Sequence, residues 1–209
     1  MSQGVHAVQH EVEHEIKHGD GHGGGGSFLE NVNKKVALLI GVLALFLALS
    51  ETLGKSAQTA SISYNIEAAN LWAFFQAKNI RRTVVLTAAE EMSVNAGGAS
   101  DAALKAAMAQ QIDAWQKTAA RHRSEPDVRE GTVELAERAK AAETKRDTAL
   151  ARYHHYEVAS AAFQIGIVLA SATVITGMIV LTWIGMGLGS IGLVFMAIGM
   201  FAPHAVHLF

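Results

Sequence analysis

Hydrophobic residues along this chain are gathered into long runs instead of being spread evenly. Residues 36–50 contain no Asp, Glu, Lys or Arg, and neither do residues 158–209. Between these runs, residues 51–157 hold 14 Lys or Arg and 14 Asp or Glu. Apolar runs of this length between charged flanks are typical of membrane-spanning helices. The pattern therefore predicts an integral membrane protein with a charged middle segment.

The charge-free runs predict three transmembrane helices. Residues 36–50 are too few to cross about 30 Å of hydrocarbon at about 1.5 Å per residue, so we place the first span at 28–57. The other two spans are predicted to form a hairpin within 158–209. We expect its turn in the glycine-rich stretch GMGLGS, residues 185–190, so that the second span ends at Ile184.

Small residues recur at every fourth position of the second span, at Ala162, Gly166 and Ala170. Small side chains let helix backbones approach closely in lipid. We therefore expect these three residues to pack against another transmembrane helix.

The middle segment, residues 58–157, is dominated by strong helix formers and predicts a soluble helical stalk. A turn is expected near 95–100, the stretch NAGGAS, with an N-cap at Ser100 or Asp101. A kink is expected near Pro126. The predicted fold is all-α: three transmembrane helices, with a long helical stalk or hairpin of coiled-coil type between the first and second.

Sidedness follows from the Lys and Arg residues near the ends of the spans. Lys145, Arg146 and Arg152 precede the second span and favour a cytoplasmic stalk. Lys34 and Lys35 precede the first span and favour the opposite orientation. We expect the stalk to be cytoplasmic.

The stretch YNIEAANLWAFFQAKNIRRT, residues 64–83, combines aromatic and polar side chains at three-and-four spacing on a helix. Polar groups in a packed interface fix register and partner number, and Trp and Arg are frequent interface anchors. We expect either an assembly surface here or a stalk core of Trp72, Phe74 and Phe75 beside solvated Lys and Arg. The residues assigned to this surface are Asn65, Asn70, Trp72, Phe74, Phe75, Gln76, Lys78, Asn79, Arg81 and Arg82.

The same stretch resembles the signature N-x-W-A-x-x-Q-A-K-x-x-R of a bacterial domain-of-unknown-function family, numbered four-three-three-seven. The matching residues are Asn70, Trp72, Ala73, Gln76, Ala77, Lys78 and Arg81. The resemblance extends over nearly the whole chain from about residue 28. It implies a multi-pass protein of the bacterial inner membrane and supplies no reaction.

Five histidines recur at intervals of four in the Gly-rich segment 1–27, which we expect to be a flexible tail. They are His6, His10, His14, His18 and His22. Residues four apart share a helix face, so adjacent pairs could hold Zn²⁺ or Ni²⁺. Two ligands from one helix fall short of the four that a structural zinc site usually has. A polar tail that binds no metal is therefore the simpler interpretation. No cofactor is required by anything in the sequence.

Catalytic motifs do not appear: there is no nucleophile elbow, phosphate loop, zinc-protease helix or paired-carboxylate signature. We therefore expect no enzymatic activity. The net charge of −2, without a basic block, gives no reason to expect nucleic acid as a partner. His122, between Arg121 and Arg123, is expected on the surface.

Three functions remain open. The first is a membrane-anchored scaffold that forms homo-oligomers, with the lipid bilayer and further copies as its partners. The second is a passive oligomeric channel lined by Gln164, Ser171, Thr173 and Thr176, although no charged selectivity ring is evident. The third is a metal-binding membrane protein that uses the N-terminal histidines.

Overall fold

The computed structural model describes the backbone of residues 24–206 and the side chains of residues 33–206. Its helices are α1 (Gly24–Gly98), α2 (Ala102–Arg123), α3 (Thr132–Thr176) and α4 (Ile179–Phe201). No strand occurs between residues 24 and 206, which confirms the all-α prediction for that part of the chain. The five N-terminal histidines lie outside the described residues. Residues 24–27, which were assigned to the flexible tail, belong to α1.

Three of these helices are long and apolar enough to cross a membrane, as judged from their length and composition. The segments are Asn33–Gly98, Thr132–Thr176 and Ile179–Phe201. Three candidate spans were also predicted from the charge-free runs. The described chain divides into two compact units, one apolar and one charged.

The apolar unit contains the chain up to Thr52 together with His155–Ile198. Its core is formed by Leu43 of α1 and by Ala159 and Phe163 of α3. The rings of Phe46 and Phe163 stack with centroids 6.0 Å apart. Aromatic and aliphatic packing thus joins α1 to α3 in this unit.

The turn between α3 and α4 lies at Gly177 and Met178. Gly177 has a φ of 72°, and its N–H donates to the carbonyl oxygen of Thr173 at 2.8 Å. Glycine commonly ends a helix in this left-handed conformation because it has no Cβ to clash. The prediction of a turn at residues 185–190 is therefore wrong, since this stretch lies inside α4.

The charged unit contains Leu53–His154 together with the segment from Gly199 onward. Its core residues come from α1 and α3 and are mostly small. They are Ala68, Leu71, Leu135, Ala139 and Ala142, with Trp72 and Phe75 packed against them. Because Ala side chains are short, two helices can lie close together along this core.

The α1–α2 link is short and capped. Asp101 is the N-cap of α2, and its Oδ1 accepts a hydrogen bond from the Ala103 N–H at 2.8 Å. Asp101 was one of the two residues predicted for this cap.

The α2–α3 link, residues 124–131, is a complete break where a kink was expected near Pro126. The Ser124 N–H donates to the Ala120 carbonyl oxygen and closes α2. The Ser124 hydroxyl and the Glu125 N–H both donate to the carboxylate of Glu134 in α3. Glu134 thereby ties the link to the first turn of α3, and the Ser124 hydrogen bond lowers the pKa of its carboxyl group.

Candidate functional site

The motif segment of α1 is divided between two sides of the helix. Trp72, Phe75 and Lys78 are buried or half-buried within the charged unit, and Arg82 is half-buried. The exposed members of the predicted surface are Asn65, Asn70, Phe74, Gln76, Asn79 and Arg81. The predicted surface is thus split into a buried or half-buried inner group and an exposed outer group, of which Asn65 accepts a hydrogen bond from Arg146 of α3 at 3.4 Å.

Trp72 belongs to the inner group and joins α1 to α3. Its Nε1 donates a hydrogen bond to Glu143 Oε1 at 2.9 Å. Its ring meets the ring of Phe75 edge-on, with centroids 5.4 Å apart. An indole buried beside small Ala side chains with its N–H satisfied is a stable arrangement for a helix pair.

Lys78 is the charged member of the inner group and is only 8% exposed. Its Nζ lies 3.4 Å from Glu125 Oε2 and 3.9 Å from Glu130 Oε2, and 5.6 Å from the centroid of the Phe74 ring. The alternative prediction, in which Lys78 is solvated beside a stalk core, is therefore wrong for this residue. The α2–α3 link supplies both carboxylates, and no spacing within α1 could have revealed them.

His122 lies at the end of α2, near the positive charges of Lys78, Arg121 and Arg81. Its Nδ1 is buried and has no hydrogen-bond partner within the described chain. Burial lowers the pKa of this imidazole, and the nearby charges of Lys78, Arg121 and Arg81 lower it further, while Glu125 raises it. The side chain expected on the surface is thus half-buried, and its Nδ1 is removed from water.

The outer side of α1 carries a stripe of apolar side chains. Ile62, Ile66, Ile80 and Val84 are 56%, 55%, 63% and 61% exposed. Their spacing places them on one helix face, together with three exposed alanines. We call this set the outer face: Ile62, Ile66, Ala69, Ala73, Ala77, Ile80 and Val84.

The sequence reading missed the outer face because it concentrated on aromatic and charged residues. A three-and-four spacing of Ile, Ala and Val was nevertheless present in the sequence. What could not be seen was which of the two apolar stripes of α1 the fold would cover.

The small residues of the second span lie where α3 meets α4. Ala162, Gly166 and Ala170 are all buried. A Cβ added to Gly166 would come 3.0 Å from the carbonyl oxygen of Gly185, and a Cβ added to Gly185 would come 2.9 Å from that of Gly166. Gly166 and Gly185 are thus positions of close backbone approach between the second and third spans.

Polar side chains in the apolar unit are engaged within the chain. Gln164 Nε2 donates to Glu51 Oε1 at 3.3 Å, and Thr182 Oγ1 donates to Thr173 Oγ1 at 3.0 Å. The hydroxyls of Ser171, Thr173 and Thr176 donate to carbonyl oxygens one turn earlier in α3. Gln164, Ser171, Thr173 and Thr176 are the four residues predicted to line a channel. Each of them donates a hydrogen bond to a partner within the same copy of the chain.

In the part of the chain that the structure describes, no group of three or more His, Asp or Glu side chains could hold a metal ion. A cavity of about 210 Å³ in the charged unit is lined by residues of both signs, including Glu67, Arg129, Glu137 and Lys145. Such mixed lining is typical of a solvated helix surface.

No curated protein and no solved structure matches the sequence. One family model does match: it is described as a domain of unknown function, DUF4337, and it covers residues 32–202. The match includes all four helices over most of their length and the whole motif segment. The chain therefore belongs to the DUF4337 family.

Proposed function

We propose that the protein is a membrane-anchored helical scaffold that self-associates through the outer face of α1. The observation that carries the proposal is the exposure of this face. Four of its side chains, Ile62, Ile66, Ile80 and Val84, are each more than half exposed in a charge-balanced unit. Burial of apolar surface contributes roughly 25 cal/mol per Å², so covering the face with protein is favourable.

The polar neighbours of the outer face support the same function. Between residues 56 and 90, the residues nearest the stripe on either side include Thr59, Asn70, Gln76 and Thr87, which are all uncharged, while the exposed Arg81 lies further from its centre. Depletion of charge at the centre with polar residues at the rim is the usual composition of a protein–protein interface. A solvated helix surface would instead carry Lys and Glu at such positions.

The anchor in this proposal is the apolar unit, with α1, α3 and α4 crossing the bilayer. Helices in lipid associate by close packing of small residues, and Gly166 and Gly185 allow that. Lys145, Arg146 and Arg152 support a charged unit in the cytoplasm, and the family resemblance implies the bacterial inner membrane. The partners are then lipid and further copies of the chain.

The experiment is a mass measurement of the full-length protein in detergent. We expect the parent to contain more than one copy and Ile66→Glu to shift towards a single copy, because a carboxylate would be buried without a partner. Val133→Glu is the matched control, since Val133 is 54% exposed but lies on α3. A monomeric parent, or equal loss in both variants, would overturn the proposal.

A further inference from the structure

We propose that the outer face of α1 binds the same face of a second copy in antiparallel orientation, about a two-fold axis at Ala73. This inference rests on the proposed function and names the partner and geometry of its interface. The new observation is a symmetry of the outer face: residues that lie equally far from Ala73 in the two directions along α1 are identical or similar.

The matching positions are equally far from Ala73 along the helix. Ala69 corresponds to Ala77, Ile66 to Ile80, and Ile62 to Val84. The uncharged residues beside the stripe are symmetric about Ala73 as well, because Asn70 corresponds to Gln76 and Thr59 to Thr87. The exposed fractions correspond as well, since Ile66 and Ile80 are 55% and 63% exposed.

A two-fold axis perpendicular to a helix brings each residue near the centre of the stripe opposite its counterpart on the other copy. Ile66 of one chain would then face Ile80 of the other, and the central alanines would face each other. Small residues at the centre let the two helices approach, while the larger Ile and Val side chains close the contact at both ends. Such an isologous contact is complete with two copies.

Charge selects the antiparallel direction over the parallel one. Lys55 and Glu91 lie on the same side of α1 as the outer face, equally far from Ala73, and both are exposed. An antiparallel pair sets Lys55 of each copy opposite Glu91 of the other. A parallel pair would set lysine against lysine and glutamate against glutamate, which is unfavourable.

Cysteine cross-linking tests the orientation directly, because the chain contains no cysteine of its own. Ile66→Cys and Ile80→Cys are expressed with different tags in the full-length protein, separately and together, and then oxidised. A disulfide requires Cα atoms within about 7 Å, so only residues that face each other react. We expect a disulfide between the two tagged forms and little self-linking of either variant alone.

The opposite results have separate meanings. Self-linking of each single variant in a protein of two or more copies would overturn the antiparallel pair and leave the scaffold function standing. A monomeric parent in detergent would overturn both. Ala73→Cys lies on the proposed axis, so failure of this variant to cross-link in an oligomeric parent would show that another surface is used.

A charge exchange provides an independent measurement. Lys55→Glu and Glu91→Lys are each expected to weaken pairing by roughly threefold to tenfold, because each opposes like charges at two symmetric contacts. The double variant restores opposite charges and should recover the parental affinity. Equal pairing affinity in the parent, both single variants and the double variant would contradict the proposal.

Discussion

Gly166 of α3 and Gly185 of α4 lie so close that a Cβ on either would come within 3.0 Å of the other's carbonyl oxygen. Two backbones in such contact gain dispersion energy along their whole length. The contact also explains why glycine occurs at residue 185 without forming a turn there.

Substitution of Gly185 by Ala is therefore expected to destabilise the protein by about 1–3 kcal/mol, because neither backbone can move away cheaply. Gly187→Ala is the matched control on the same helix, since a Cβ at Gly187 meets nothing within 4 Å. Unfolding in detergent at increasing denaturant measures both. A control as unstable as Gly185→Ala would contradict the close approach.

Replacement of Lys78 by Met should destabilise the charged unit by about 1–2 kcal/mol. The variant keeps most of the side-chain volume but leaves Glu130 without its cation and Glu125 with only Arg121 at 4.0 Å, and partial exposure of both carboxylates limits the loss. Lys117→Met removes an exposed ion pair with Asp113 and should cost less than about 0.5 kcal/mol. Chemical unfolding of the full-length variants, followed by circular dichroism, separates the two.

Trp72→Phe should cost about 0.5–1.5 kcal/mol, because the ring stays but the hydrogen bond to Glu143 is lost. Trp183 is well exposed, so Trp183→Phe serves as the comparison and should leave the unfolding free energy nearly unchanged. If Trp72→Phe proved as stable as the parent, the Trp72–Glu143 hydrogen bond would have no role in joining α1 to α3.

His122 should make stability depend on pH. Burial and the neighbouring Lys78, Arg121 and Arg81 lower its pKa in the folded protein, so between the folded and unfolded pKa values the unfolded chain binds more protons. The free energy of unfolding therefore has its full value above about pH 6.5 and decreases as the pH falls below that value. Glu134, whose pKa is also lowered, acts only at more acidic pH.

The measurement is the unfolding midpoint between about pH 5 and pH 7.5 for the parent and for His122→Gln, which cannot titrate in this range. The parent should lose stability towards pH 5 and the variant should lose less. Identical pH profiles would exclude His122 as the titrating group.

The periodicity and charge distribution of the sequence predicted an all-α chain with three apolar segments and a cap at Ser100 or Asp101, since these features depend on local spacing and composition. The family signature around Trp72 was likewise visible before any fold was known. These are properties that a short stretch of helix carries by itself.

The turn at Gly177 could not be read from hydropathy, because the residues on both sides of it are equally apolar. The glycines further along α4 offered a false signal, since glycine serves close packing as well as turns. Only the contact between Gly166 and Gly185 separates these two uses.

The two sides of α1 were decided in the same way. Spacing placed Lys78 and Ile80 on a helix that carries apolar residues on more than one side. Tertiary structure buried the lysine beside Glu125 and left the isoleucine exposed. The sequence by itself determined the helices and the character of each face, whereas long-range packing alone decided which face is covered, because burial depends on residues that lie far away along the chain.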